Sequence, residues 1–243
     1  MSATAYIGPC GWQYAHWRGS FYDEITHSGD MLARHAERLS AVEVNSFFYG
    51  LPSPENVLQW RDAVPDGFLF AVKASRYLTH KKKLKDPAGP VSRLLDKANL
   101  FGDKLGPILL QLPPNWRFNP DRLDDALRAF PATVRVAVEM RDASWICDEC
   151  LEVLAEHNAA FCVYELAGCR TPWHVSADFG YVRMHGPSKE KYRGIYSRSQ
   201  LQAIAEHLAE WLGRGMDAYC FFDNDEAGFS ANNALALSVM LAG

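Results

Sequence analysis

A chain of 243 residues, 48% hydrophobic and 22% charged, carries enough apolar material for one large core and matches the about 250 residues of a single α/β barrel. It contains no apolar run near the roughly 18 residues that cross a bilayer. Met1 to Tyr6 lack the basic start and apolar stretch of an export signal, so a cytoplasmic protein that does not engage membranes is expected. The net charge of −4 argues against a domain that is basic throughout, as dedicated nucleic-acid binders tend to be.

Apolar runs rich in β-branched residues recur along the chain and predict eight strands: Ala5–Gly8, Ala41–Ser46, Leu69–Ala74, Pro107–Leu112, Val134–Met140, Ala160–Leu166, Gly180–Gly186 and Ala218–Asn224. Helical patterns lie between most of them. Asp30 is placed to cap a helix with Met31, Leu32, His35, Ala36 and Leu39 on its apolar face. Ser53-Pro54 and Asn119-Pro120 each put a capping side chain before a proline at the first helical position. Ser197 or Ser199 opens a helix with Leu201, Ile204, Ala205, Leu208 and Leu212 at helical spacing, and Gly228 to Leu241 closes the chain. Cys147 and Cys150 form a CxxC with no second pair, which reads as a helix start and not as a zinc site. Cys162 and Cys220, inside apolar runs, read as small buried hydrophobes.

Strands alternating with helices give a parallel sheet, and eight such units favour closure into one (β/α)8 barrel over residues 1–243. The link Ala167 to Phe179, between the sixth and seventh strands, is short, polar and interrupted by Pro172. The helix there is expected to be reduced or missing.

Side chains alternate between the two faces of a strand, so parity separates barrel interior from helix-facing positions. Val42 and Val44 oppose Glu43 and Asn45. Phe70 and Val72 oppose Ala71 and Lys73, and Ile108 and Leu110 oppose Leu109 and Gln111. Val136 and Val138 oppose Ala137, Glu139 and, past the strand end, Arg141. Val182 and Met184 oppose Arg183 and His185, and the last strand ends in Asp223-Asn224. Polar residues thus collect at the C-terminal strand ends, where barrels of this kind carry their sites. The competing reading is an internal salt-bridge layer in which Glu43 and Glu139 offset Lys73 and Arg183. The loops beyond the strands hold Trp12, Tyr14, Trp17, Tyr49, His80, Trp145, Tyr192 and Tyr196, which either stack on a ligand or pack over the barrel end.

Two stretches, Lys73 to Lys85 and Arg183 to Arg198, carry eleven of the 25 Lys and Arg and only one acid, Glu190. If both reach one rim they form a positive funnel on an acidic body.

The chain also resembles the YecE-like family, a TIM-barrel family of unknown function. The likeness rests on Gly11-Trp12 with Tyr14 and Trp17, Val42 to Tyr49, Phe70 to Ala74 with Thr79-His80, and Leu105-Gly106-Pro107. It continues through Gln111 to Pro114, Val138 to Arg141 with Ser144-Trp145, and Tyr181 to Gly186. The resemblance implies the barrel and a pocket at its mouth, without a reaction. Two departures stand out: the first loop reads Gly8-Pro9-Cys10-Gly11-Trp12 where Gly-Thr-Ser-Gly-Trp is usual, and the last strand ends in Phe222-Asp223-Asn224 where Phe-Asn-Asn is usual.

Three functions are consistent with these residues. In the first, a small anionic or phosphorylated ligand is bound by Lys73, Arg141 and Arg183 and oriented by Asn45 and Gln111. Glu43, Glu139 and His185 then act as acid–base catalysts without a resident cofactor. The second is a metal-dependent phosphodiesterase or endonuclease with a divalent ion on Glu43, Glu139, His185 and Asp223. The third is a nucleic-acid-binding module using the basic run Lys81-Lys82-Lys83-Leu84-Lys85 and nearby aromatics. Oligomeric state is not readable from the sequence.

Overall fold

The computed structural model describes residues 3–242; residues 1, 2 and 243 of the chain-long domain expected from the sequence lie outside them. Strands β1 (Ala5–Pro9), β2 (Ala41–Val44), β3 (Leu69–Lys73), β4 (Leu105–Gln111), β5 (Val136–Glu139), β6 (Ala160–Leu166), β8 (Phe179–Met184) and β9 (Asp217–Phe222) form a nearly closed parallel barrel, while β7 (Cys169–Arg170) is a two-residue return strand. Going round from β2, each strand pairs with the next in chain order, β8 follows β6, and β9 pairs with β1. The seam between β1 and β2 is held at one point. Cys10 bridges Glu43, with the Gly11 N–H donating to the Glu43 carbonyl at 2.9 Å and the Cys10 N–H to that of Phe222 at 2.8 Å. A Cβ on Gly8 would lie 2.0 Å from the Ala41 carbonyl oxygen, so only glycine lets the first two strands approach this closely.

All eight expected strands form, with shifted ends. Leu105 and Gly106 extend β4, whereas Val134 and Met140 fall outside β5. Ser46 leaves β2 to start a one-turn helix, α2 (Ser46–Tyr49). As expected, no helix follows β6: the chain folds back as β7, antiparallel to β6 through Glu165–Arg170 and Leu166–Cys169.

Side-chain capping opens three of the helices. The Asn56 N–H donates to Ser53 Oγ at 3.3 Å to open α3 (Pro54–Asp62), and the Arg122 N–H to Asn119 Oδ1 at 2.9 Å to open α5 (Pro120–Arg128). Ser197, and not Ser199, caps α7 (Arg198–Gly213), in a reciprocal box with Gln200. Cys147 stands before α6 (Asp148–Glu156). At α1 (Met31–Ala36) the expectation fails, because Asp30 is in helical conformation and its side chain makes no capping bond. The sequence reading left α4 (Ala88–Ala98) unassigned, although Val91, Leu94, Leu95 and Ala98 recur at helical spacing and are buried. α8 (Phe229–Ala242) ends the described chain. No helix among the described residues is long and apolar enough to cross a membrane.

Two apolar layers follow from strand parity. Outward residues such as Val42, Val72, Ile108, Leu110, Val138 and Val182 pack under the helices; each such burial is worth roughly 1.5–3 kcal/mol. The interior is smaller and lopsided: Ala41, Ala71, Ala137 and Ala160 on β2, β3, β5 and β6 leave room for Phe179, Tyr181, Tyr219 and Phe221 on β8 and β9. Large and small side chains therefore interlock across the barrel floor.

His35 on α1 is fully buried. Its Nε2 lies 3.1 Å from the Ala41 carbonyl and donates to it, while Nδ1 has no partner. Burial lowers its pKa to about 4, against a smaller upward pull from the Ala41 bond. The unfolded chain therefore takes up a proton near pH 6.5 that the fold refuses. Stability is complete above that pH and falls as pH drops toward 4, by about 3 kcal/mol. Urea titrations at pH 7 and pH 5 are expected to show this loss, and His35→Gln, which keeps a donor for Ala41, should flatten it.

Candidate functional site

Above the aromatic floor the inward positions turn polar. Glu43, Glu139, Arg183 and His185 are completely buried, and a single guanidinium organises them. Arg183 donates from Nε to Glu43 Oε2 at 2.9 Å and from Nη2 to Glu43 Oε1 at 2.7 Å, a two-pronged pair across the barrel. Its Nη1 donates to Glu139 Oε2 at 2.6 Å, and Nη2 also reaches Asp223 Oδ2 at 3.2 Å. Two neighbours complete Glu43: the Tyr181 hydroxyl donates to Oε2 at 2.8 Å and the Cys10 thiol to Oε1 at 3.2 Å. Cys10 thus supplies, with sulfur, a hydrogen bond of the kind a serine hydroxyl would make. Burial and the adjacent carboxylates push its thiol well above its ordinary pKa, so it stays protonated and able to donate.

The next layer outward joins β5, β8 and β9. Arg141 donates from Nε to Glu139 Oε1 and lies over the Tyr164 ring, 4.7 Å from its centroid. Its Nη2 is 3.0 Å from His185 Nε2, while His185 Nδ1 is 3.1 Å from Asp223 Oδ2. A guanidinium can only donate, so Nε2 is the acceptor and the imidazole proton sits on Nδ1, facing Asp223. Burial opposes ionisation of Glu139, but Arg141 and Arg183 outweigh it and hold the carboxyl well below the ordinary range. Burial likewise opposes ionisation of Asp223, and the His185 hydrogen bond and Arg183 overcome it. Of these carboxylates Asp223 alone remains reachable, with 23% of its side chain exposed.

Three polar groups at the mouth are not spent in this way. Lys73, at the end of β3, has its ammonium 4.2 Å from the centre of the Phe48 ring, and among the described residues it has no hydrogen-bond or ion-pair partner. Burial lowers its pKa, as does nearby Arg183, against the pull of Glu43, Glu139 and Asp223. The Gln111 amide, at the end of β4, and Arg141 Nη1 also lack partners among the described residues. Gln111 and Arg141 line a cleft of about 480 Å³ with Tyr164, Lys191 and Tyr192. Tyr192, 44% exposed and at φ +66°, hangs over His185 with ring centres 5.6 Å apart.

Several residues read as ligand contacts are committed elsewhere. Glu43 and Glu139 lie sealed beneath guanidinium groups and are not free to act as general bases, and Arg183 has no exposed donor for an anion. The internal salt-bridge reading therefore holds for Glu43, Glu139 and Arg183, but not for Lys73. Trp17 is buried and donates to Asp225 at 2.6 Å; Trp145 is buried and donates to the Trp116 carbonyl at 2.5 Å. Tyr196 is buried and accepts from the Gly186 N–H, and Asn224 is buried with its amide donating to the Gly194 carbonyl and Asn233. Tyr14 donates to the Cys10 carbonyl, and Trp12, only 6% exposed, packs edge-on against Trp60. These six residues hold loops together. Asn45 precedes α2 without capping it, and its Oδ1 is buried with no partner. His80 packs against Phe48 beside the mouth, whereas Tyr49 is 83% exposed.

The four residues considered for a divalent ion do not fit one. Their facing atoms already accept from Arg141 and Arg183 or donate to Asp223, and among the described residues no group of three His, Cys, Asp or Glu is arranged to hold a metal. The sequence reading missed Tyr164 and Lys191 in the cleft, although Tyr164 has the same inward parity as Cys162 on β6.

Removing Arg183 should leave buried Glu43 without its cation and Glu139 with Arg141 alone, a change of about 3–5 kcal/mol. Arg183→Met is expected to lower the urea midpoint accordingly, or to leave the chain unfolded. Stability within 1 kcal/mol of the parent would mean that the guanidinium does not hold this layer.

Comparison with known proteins agrees with this architecture. Residues 6–243 match the family model described as protein of unknown function DUF72. UPF0759 protein YecE of Escherichia coli (strain K12) is 29% identical over 139 residues, 56% of this chain and 48% of its own, so the match spans about half the length of that relative. UPF0759 protein YunF of Bacillus subtilis (strain 168) is 23% identical, with 97% of this chain and 94% of its own covered. The crystal structure of the DUF72 family protein TM1631 from Thermotoga maritima superposes with a TM-score of 0.88 at 26% identity, covering 99% of this chain and 100% of that one. A barrel of this topology, matched from β1 to the chain end, makes the protein a member of the DUF72 family.

Proposed function

We propose that the barrel mouth binds a small anionic, phosphate-bearing ligand between Lys73, Gln111 and Arg141. One observation carries this reading: among the described residues Lys73 is the cation of the layer that makes no direct ion pair. Arg183 and Arg141 are matched by Glu43, Glu139 and Asp223, whereas the Lys73 ammonium meets only an aromatic face. Holding a partly desolvated charge without a partner costs free energy, and an incoming anion relieves that cost.

The spacing suits a ligand of this size. Lys73 and Gln111 end the consecutive strands β3 and β4, and Arg141 follows the end of β5 by two residues, with Gln111 paired in register with Glu139. Neighbouring strands lie about 4.8 Å apart, so the three groups span about 10 Å. Arg141, fixed by Glu139 and Tyr164, offers a pre-set donor, and Gln111 a neutral one. The carboxylate available to accept a proton from such a ligand is Asp223, ionised and partly open, with His185 orienting it. Glu43 and Glu139 serve instead to hold the two guanidinium groups.

Asp223 also sets the charge of the mouth. It balances Lys73, Arg141 and Arg183 at three against three, whereas the asparagine usual at this position would leave one positive charge in excess.

Calorimetric titration with inorganic phosphate tests the reading. Binding is expected to the parent protein and to be lost in Lys73→Met, a variant whose own melting temperature should rise by about 2–4 °C as about 1 kcal/mol of charge desolvation is removed. Asp223→Asn keeps an acceptor for His185 and should bind phosphate about tenfold more tightly, or about 1.4 kcal/mol. Equal phosphate binding by the parent and Lys73→Met would reject the proposal.

A further inference from the structure

Beside the mouth, on the side of α2 and α4, lies a second depression of about 360 Å³. Its walls combine two features that a solvated surface rarely joins. Arg76, Lys81 and Arg93 line it without any carboxylate, and among the described residues none of the three has an ion-pair partner. Tyr49, 83% exposed, and Tyr77, 48% exposed, line the same depression. By contrast, Lys82 of the same basic run is paired with Asp86 at 3.1 Å.

A local backbone device builds this wall. Residues Tyr77–Lys81 form a wide π turn closed by the Lys82 N–H donating to the Tyr77 carbonyl at 2.9 Å. One extra residue per turn points Leu78 and Thr79 into the core and sets Tyr77 and Lys81 on the groove, with His80 toward the mouth. Such turns recur at functional sites because they re-aim side chains that a regular helix would bury. Phe48 joins the two depressions: it lines the groove, carries the Lys73 ammonium on its face and packs edge-on against His80 at 5.2 Å.

We infer that this groove binds single-stranded polynucleotide, with bases stacked on Tyr49 and Tyr77 and phosphates held by Arg76, Lys81 and Arg93. Unpaired bases offer the flat faces that uncovered aromatic rings accept, and phosphates suit guanidinium forks. An acidic peptide would satisfy the cations but leave the rings uncovered, and a duplex hides its base faces. The acidic remainder of the chain confines binding to this strip. The inference extends the anion reading of the mouth, since through Phe48 the strand leads to Lys73, but its affinity rests on the groove.

Fluorescence anisotropy with labelled 12-mers of deoxythymidine and of uridine tests it, using the full chain at several salt concentrations. Binding of at least one strand is expected to weaken steeply with salt. Arg76→Ala/Arg93→Ala, both at exposed positions, should weaken it at least tenfold and reduce the slope of log affinity against log salt by about 1.4, from two lost contacts at about 0.7 each. Tyr49→Ala should weaken it roughly tenfold with the slope unchanged. Both variants should keep the phosphate binding measured for the mouth. Oligonucleotide binding that ignores all three substitutions overturns the inference, as does equal affinity for inorganic polyphosphate or tighter binding of the duplex. If phosphate binding still depends on Lys73 in that case, the mouth reading stands and the groove alone falls. If groove-dependent oligonucleotide binding persists while Lys73→Met leaves phosphate binding unchanged, the groove stands and the mouth reading falls.

Discussion

The guanidinium of Arg183 crosses the hollow of the barrel to Glu43, 140 residues away in the chain, and to Glu139, 44 residues away. Three charged groups with no exposed surface are tolerable only because each lone pair and proton facing the others is used. This requirement reaches outward in every direction. It fixes β2 against β8 and β5, and it places the Tyr181 hydroxyl and the Cys10 thiol on Glu43. It also calls for Arg141 as a second donor to Glu139. The seam of the barrel passes through the same residue, since the backbone of Glu43 forms the bridge that joins β1 to β2.

Directly beneath this layer the barrel interior is apolar and aromatic packing, and above it lies the mouth. The floor interlocks small residues on one half of the barrel with aromatic residues on the other. Above it, the pairing has consumed the acids and two of the cations, so the chemistry left at the surface is sparse: an ammonium on an aromatic face, a free amide, one arm of Arg141 and the partly open Asp223. The two departures from the usual family pattern fall in this network. Cys10 preserves a donor to Glu43 at the cost of a longer, weaker bond, and Asp223 adds a negative charge where the imidazole proton of His185 can meet it.

The loop aromatics divide by what their polar tips touch. Trp17, Trp145 and Tyr196 use theirs on Asp225, the Trp116 carbonyl and the Gly186 N–H, and are buried. Tyr49, Tyr77 and Tyr192 are at least 44% exposed. Partnered tips mark side chains that pin a loop, and exposed rings mark those left to meet something else. Gly186, at φ +103° and with no room for a Cβ beside the Arg193 carbonyl, turns the chain so that Tyr192 hangs over the mouth while Tyr196 is drawn in.

The sequence by itself determined the eight strands, the inward parity of Glu43, Lys73, Gln111, Glu139 and Arg183, the reduced or missing helix after β6 and the caps at Ser53 and Asn119. Each of these is written in local periodicity or in hydrogen bonds a few residues long. The tertiary structure alone decided which of the charges were spent. Whether Arg183 faces an incoming anion or two buried carboxylates depends on contacts between strands far apart in the chain, and no local pattern distinguishes it from Lys73. For the same reason the unassigned α4 and the π turn at Tyr77–Lys81 matter: together they build a groove from residues that, in the sequence, look like an ordinary solvated basic loop.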